Sequence, residues 1–382
     1  MAATKASRKG VKQQSKSPAA GALPLRQLGT SDLLVSQIAL GGLMFGLKTE
    51  EEQAHHLLNV AVDEYGVNFI DTSESYPRPM VPESFGRADE IVGSWLKGRD
   101  RASIILGAQV CGRSNFMNWL RKDGSNTALT PEQIVEAVDG SLTRLGTDYV
   151  DLLQIEWPDR YVGELGDDYY DYSKEQDAVD FLTQLEAMQG LITAGKVRHI
   201  GVCNETPYGI AKFLEHAQWD GMPRIASVQN SYNVLNRHTL ELGVVEACAP
   251  KNGNVGIIAH TPLGGGVLTG KYIDQTLLDM DKEARLNKFY GYQIRYLNEH
   301  CQAAVKAYKE VADKHGVSLT AAALQWVYSR PFVASTVVGV TSEAQLRENL
   351  DALSVELPEE LQQDMAEVFR TYREPTMGPT HA

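Results

Sequence analysis

Hydrophobic and polar positions fall into two alternating textures along this chain. Short apolar runs rich in β-branched residues occur at 35–40, 68–73, 103–110, 150–157, 197–204, 225–230, 255–261 and 335–340. Most are continuous rather than alternating, DLLQI and VGIIA among them, as expected of strands covered on both faces. The stretches between them carry apolar residues at helical spacing. Residues 50–65 place Ala54, Leu57, Leu58, Ala61, Val62 and Tyr65 on one face, and Gly66 follows as a stop. Thr130, Pro131 and Gln133 form a helix start at N-cap, N1 and N3, with apolar positions running on to Leu145 and Gly146. The same pattern predicts helices over 178–194, 206–218, 237–248, 344–353 and 358–372.

Eight strand–helix units in roughly 330 residues predict an α/β fold, a (β/α)8 TIM barrel. A doubly wound sheet would announce its first turn with GxGxxG. Here that turn reads GGLMFG, and the later GGGVLTG also misses the motif. Residues 23–34 read as a hairpin before the first barrel strand, a candidate plug for the barrel floor. Two connections are long, 160–176 and the stretch between strands seven and eight that includes 276–296. Loops that follow strands lie on the catalytic face of a barrel.

Charge divides the chain in two. Residues 1–26 hold six basic residues and no acid, so the rest carries −19 against −13 overall. An acidic body does not hold a phosphate backbone, which argues against nucleic-acid binding. Residues 1–22 read as a basic disordered arm and 23–382 as the barrel with a C-terminal helix. The arm lacks the apolar core of a secretory signal; it fits a solvated tail, an organelle import sequence or a docking segment for an acidic partner. No apolar run approaches the roughly 18 residues of a membrane span. Four scattered cysteines, none in a CxxC pair, suggest no disulfide framework, no metal site and a reducing, cytoplasmic setting. Residues 164–177 hold six acids against Lys174, with Tyr169, Tyr170 and Tyr172 interleaved. They lack calcium-loop spacing and read as a solvated loop or a partner-docking lid.

The expected strand ends bring chemistry to one face. They are Asp71 with Tyr76 soon after, Gln109, Glu156, Cys203-Asn204, Gln229-Asn230, His260-Thr261 and Gly339-Val340-Thr341. Each could merely satisfy local backbone groups. Together, Asn204 and Gln229 could hold a carboxamide. The glycines at 264–266 would let backbone N–H groups approach a pyrophosphate, and Gly339 with Thr341 precedes a helix N-terminus suited to an anion.

These residues sit in motifs that resemble the aldo-keto reductases, nearest their Tas-like branch. The motifs are LGTSDLLVSQIALGG, NFIDTSESY, RLGTDYVDLLQIEWPDR, AGKVRHIGVCNETPYG, VQNSYNVLNR, PLGGGVLTGKY and FVASTVVGVTSEAQLRENL. The likeness spans roughly 24–372 and agrees with the barrel reached from the pattern alone. It implies a barrel that binds NADP(H), or NAD(H), and reduces a small carbonyl compound with Tyr76 as proton donor and Asp71 beside it. It implies that Asn204 and Gln229 hold the nicotinamide amide. Leu263, Gly265 and Lys271 would follow the pyrophosphate, and Gly339, Thr341, Gln345 and Asn349 the adenosine end.

By the same resemblance, four positions depart from the family pattern. Gln109 stands where a lysine is expected and Glu156 where a histidine is expected. Cys203 replaces a serine, and His260 an aromatic that stacks on the nicotinamide. Neutral Gln109 cannot lower the tyrosine's pKa as a lysine would, though it could still hydrogen-bond Tyr76, and Asp71 would lose its partner. Glu156 would oppose charge on Tyr76 if ionised, or donate to a substrate oxygen if protonated, a route to enone reduction. Two readings stand side by side. One is a reductase weakened or altered by Gln109 and Glu156. The other is an impaired NADP(H)-binding pseudoenzyme that serves as an interaction or sensing module.

Overall fold

The computed structural model describes residues 23–163, 170–275, 280–282, 284–288 and 294–377. The proposed arm at 1–22 and part of the acidic loop lie outside them. All eight apolar runs form strands. After the hairpin strands β1 (Leu25–Gln27) and β2 (Leu34–Ser36) come β3 (Ile38–Gly41), β4 (Phe69–Asp71), β5 (Ile105–Val110) and β6 (Val150–Ile155). Then follow β7 (Val197–Cys203), β8 (Ile225–Ser231), β9 (Gly256–His260) and β10 (Val333–Val338). Strands β3 to β10 pair in parallel and in chain order, and β10 closes on β3 through Val337 opposite Ala39. The fold is a closed (β/α)8 barrel.

The run at 35–40 divides. Val35 and Ser36 belong to the antiparallel hairpin, with Val35 opposite Arg26. The barrel strand starts only after Gln37, whose N–H bonds the Pro24 carbonyl. The hairpin turn inserts Leu28 and Leu33 among Phe69, Ile105, Leu152, Ala226, Ile258 and Ala334 from the strands, and so stops the barrel floor. This close approach explains Gly29, which sits at φ 57. A Cβ there would come within 2.4 Å of the Ala226 carbonyl oxygen.

The helices form as their caps predict. Thr130 accepts from the N–H of Gln133 at the start of Pro131–Leu145, and Gly146 ends it in the left-handed region. The stretch 50–65 is not one regular helix. An α-helix over Glu51–Asn59 passes into a wider π-turn over Val60–Glu64, and a similar turn at Leu240–Val244 precedes Val245–Cys248. Among the described residues four α-helices lie where the pattern predicts none: Arg87–Leu96, Arg285–Lys288, Glu299–Lys314 and Leu319–Tyr328. The last three lie in the long connection between β9 and β10.

Candidate active site

Of the twenty residues singled out at strand ends, in the glycine run and in the motifs, all but Asn230 and Gly264 line one cleft of about 1890 Å³ at the C-terminal mouth of the barrel. Asp71 lies at its base, buried at the end of β4. The Gln109 amide donates to both of its oxygens at 3.0 and 2.9 Å. The Gln154 and Gln229 amides add bonds to Oδ1 at 3.1 and 3.0 Å. Burial pushes the Asp71 carboxyl up to about 6, although these three donors pull the other way. Asp71 therefore has a partner, and it is Gln109. The Gln109 amide serves the carboxylate and not Tyr76, because a buried carboxylate demands donors more strongly than a phenol does.

Tyr76 stands in the loop after β4, nearly closed to solvent. Burial, with the Glu156 and Asp71 carboxylates near it, pushes its hydroxyl well above the ordinary tyrosine range; the Arg78 guanidinium pulls back against them. That guanidinium lies 5.8 Å from the Tyr76 ring centre and 5.9 Å from the Trp157 ring centre. It also forms an ion pair with Glu156. Glu156 accepts further bonds from the hydroxyls of Ser73 at 2.7 Å and Ser75 at 3.0 Å, and from the Cys111 thiol at 3.3 Å. Both Glu156 oxygens are thus acceptors, which suits a carboxylate and not an acid donating to a substrate.

Arg78, Ser73, Ser75 and Cys111 were not among the residues picked from the sequence. Signals for the first existed. A glutamate at a covered strand end needs a counter-charge, and Arg78 is the first cation after Tyr76.

The opposite wall runs from β7 round to β10. Asn204 takes a left-handed backbone at φ 53. Its amide donates to the Glu156 carbonyl at 2.7 Å, and its oxygen meets His260 Nε2 at 3.0 Å. His260 Nδ1 lies 2.9 Å from the Thr261 hydroxyl. Burial first, then Arg295 and Arg285, holds the imidazole down to about 3, so it is neutral and Nε2 carries the proton toward Asn204. The edges of His260 are therefore tied to its neighbours. The Cys203 thiol is pushed well up by burial and by Asp71 and Glu156.

Beyond Leu263, Gly264, Gly265 and Gly266 stand at φ 56, 69 and 104, a run that side chains would strain. Lys271 stands exposed nearby, its ammonium pKa lowered by partial loss of hydration and by Arg285. Past β10, Gln345 Oε1 accepts from the Thr341 N–H at 2.9 Å and hydroxyl at 3.2 Å. Ser342 caps the helix Glu343–Asp351, on which Asn349 is buried. A glycine-built concavity, a lysine and a helix N-terminus in one groove fit a long ligand with phosphates along its middle and end. The Gln229 oxygen remains as an acceptor for a carboxamide at the inner end.

The Aldo/keto reductase family profile matches residues 37–369. The chain belongs to this family. It is 38% identical over 347 residues to "Protein tas" of Escherichia coli, which covers 90% of the chain and 97% of that protein. It is 39% identical over 284 residues to an "Aldo-keto reductase" of Babesia bovis, covering 72% of the chain and 98% of the relative. A "Probable voltage-gated potassium channel subunit beta" of Arabidopsis thaliana is 28% identical over 338 residues, 86% of the chain and 91% of the relative. Among the described residues, no helix of this aldo-keto reductase is long and apolar enough to cross a membrane.

Proposed function

We propose that the chain is an NADP(H)-dependent reductase of small carbonyl compounds, with Tyr76 as proton donor and with turnover weakened by Gln109 and Glu156. The observation that carries this reading is the single cleft shared by Asp71, Tyr76 and the whole cofactor-side set. Asn204 and Gln229, with Cys203 below, His260 and Thr261, would hold the nicotinamide end. Leu263, Gly265 and Lys271 would hold the pyrophosphate, and Gly339, Thr341, Gln345 and Asn349 the adenosine end. NAD(H) is the alternative occupant. When bound, the cofactor supplies the hydride; the chain's task is to orient the carbonyl and deliver a proton from the Tyr76 oxygen. That delivery is handicapped. Gln109 and Glu156 stand at the family's lysine and histidine positions, so no lysine aids Tyr76. The nearby cation, Arg78, is held by Glu156. Enone reduction by a protonated Glu156 loses ground, because the carboxylate accepts from four side chains.

One observation favours a second reading, the NADP(H)-binding pseudoenzyme with an interaction or sensing role. Asp71 is spent on three amides, with no cation on either oxygen among the described residues. The likeness to a protein named as a channel subunit points the same way.

A melting titration with NADPH, followed by single-turnover oxidation of bound NADPH against an aldehyde panel, separates the two. Cofactor at a hundred times Kd should stabilise the fold by about 2.7 kcal/mol. No shift with NADP(H) or NAD(H) refutes both readings. Binding without oxidation selects the second.

A further inference from the structure

The outer wall of the cleft sets three arginines facing it, with two of their three carboxylate partners, Asp159 and Glu205, behind them and the third, Glu156, in the lining. β6 runs out into residues 156–160, and three arginines gather on that short segment. Arg78 pairs with Glu156, Arg113 pairs with Asp159 at 2.9 Å, and Arg160 itself grips Glu205 with two nitrogens. The side chains of Glu156, Asp159 and Glu205 are only 5, 0 and 2% exposed, whereas those of Arg78, Arg113 and Arg160 are 24, 33 and 20% exposed. All three arginines line the cleft, while Asp159 and Glu205 do not.

The carboxylates are also committed elsewhere. Asp159 accepts from the N–H groups of Leu129 and Val179, both at 2.8 Å. Glu205 accepts from the N–H of Thr206. They therefore act as rear anchors. Aromatic rings brace two of the guanidiniums. Arg160 lies 5.2 and 5.6 Å from the Phe181 and Tyr208 ring centres, and Arg78 rests near Tyr76 and Trp157. A guanidinium fixed in this way has little freedom left to lose when it binds, and its planar fork matches a carboxylate or phosphate. On a chain of net charge −13, such a mouth is not the default surface.

We propose that the substrate of this cleft carries an oxyanion, a carboxylate or a phosphate, which Arg113 and Arg160 hold at the lip with Arg78 between them and Tyr76. The inference rests on the reading of the cleft as a carbonyl-reducing site and names the class of compound that enters it.

The test is calorimetric titration of the full chain, with and without saturating NADP⁺. The first pair of probes is para-carboxybenzaldehyde and its uncharged methyl ester. Glyceraldehyde phosphate against glyceraldehyde forms the phosphate arm, and the stronger of the two preferences identifies the oxyanion. The charged probe is expected to bind at least about tenfold tighter, roughly 1.4 kcal/mol. Arg113→Gln should bring the charged and neutral probes to near parity. If that variant does not fold, the wild-type preference should still shrink as salt is raised.

Equal or better binding of the neutral probe in both arms overturns the proposal. So does a preference that survives Arg113→Gln, or competition between the charged probe and NADP⁺, which would assign the arginines to the cofactor. Because the readout is binding, a protein that never oxidises NADPH refutes the reductase reading while leaving this result to stand on its own.

Discussion

Gln109→Lys is the most informative single change. Gln109 Nε2 lies within 3.0 Å of both Asp71 oxygens, so a lysine there would put its ammonium against a carboxylate that lacks a cation. Around Tyr76 the charges are now Asp71 and Glu156 against Arg78, a net of one negative. The added cation brings that sum to zero. At about 4 Å and an effective dielectric of ~20, one such interaction is worth roughly 4 kcal/mol. Asp71 takes part of it, and the buried ammonium loses hydration. If about 2.7 kcal/mol reaches the transition state, the gain is about 10²-fold. The assay is single-turnover NADPH oxidation against pH with a fixed aldehyde. The rate should rise and its upper pKa should fall, because the Tyr76 hydroxyl becomes easier to ionise. Tyr76→Phe in the same background should abolish the gain. A flat response with NADPH still bound would refute the reasoning, since Tyr76 would then not be the group that limits proton delivery.

Three further outcomes are expected. The Asp71 carboxyl stands at about 6 against 3.8 for a free one, so its contribution favours the fold below about pH 4 and is lost as pH rises through 6. The difference of 2.2 corresponds to about 3 kcal/mol. Asp71→Asn should therefore gain up to that much stability near neutral pH and nothing in acid; urea unfolding across this range would show a pH-independent difference if the account is wrong. Glu156→Gln removes the counter-charge of Arg78 and should cost roughly 3 kcal/mol, at the low end for a broken buried pair because Arg78 is partly open. Adding Arg78→Met should recover most of the lost melting temperature, and failure to do so would deny the pair its role. Gly265→Ala forces a side chain onto φ 69, at about 1–2 kcal/mol. It should also weaken NADPH binding by about tenfold, and unchanged affinity by calorimetry would remove the glycines from the cofactor path.

The barrel was legible because short β-branched apolar runs alternate with striped helices, the signature of strands covered on both sides, and eight such units match the closed barrel. The boundary at Gln37 was not, since Leu34 to Leu40 is apolar enough to read through while the chain passes from hairpin to barrel. Leu319–Tyr328 hid for a related reason. It is buried on nearly every side and so carries no helical stripe. The strand-end residues of the site were legible by position. Arg78 left only an indirect signal, because it sits in a proline-rich loop and its pairing runs to Glu156, far away in the chain. The partner of Asp71 was missed for the opposite reason: charge was sought where three neutral amides suffice.

The stopped floor has a consequence for traffic. Leu28 and Leu33 close the bottom and paired strands close the wall, so among the described residues the cleft opens at the strand C-termini. Every ligand taken at the inner end, against Asn204 and Gln229, therefore comes and goes at the same end of the barrel as the one where Arg78, Arg113 and Arg160 line the cleft.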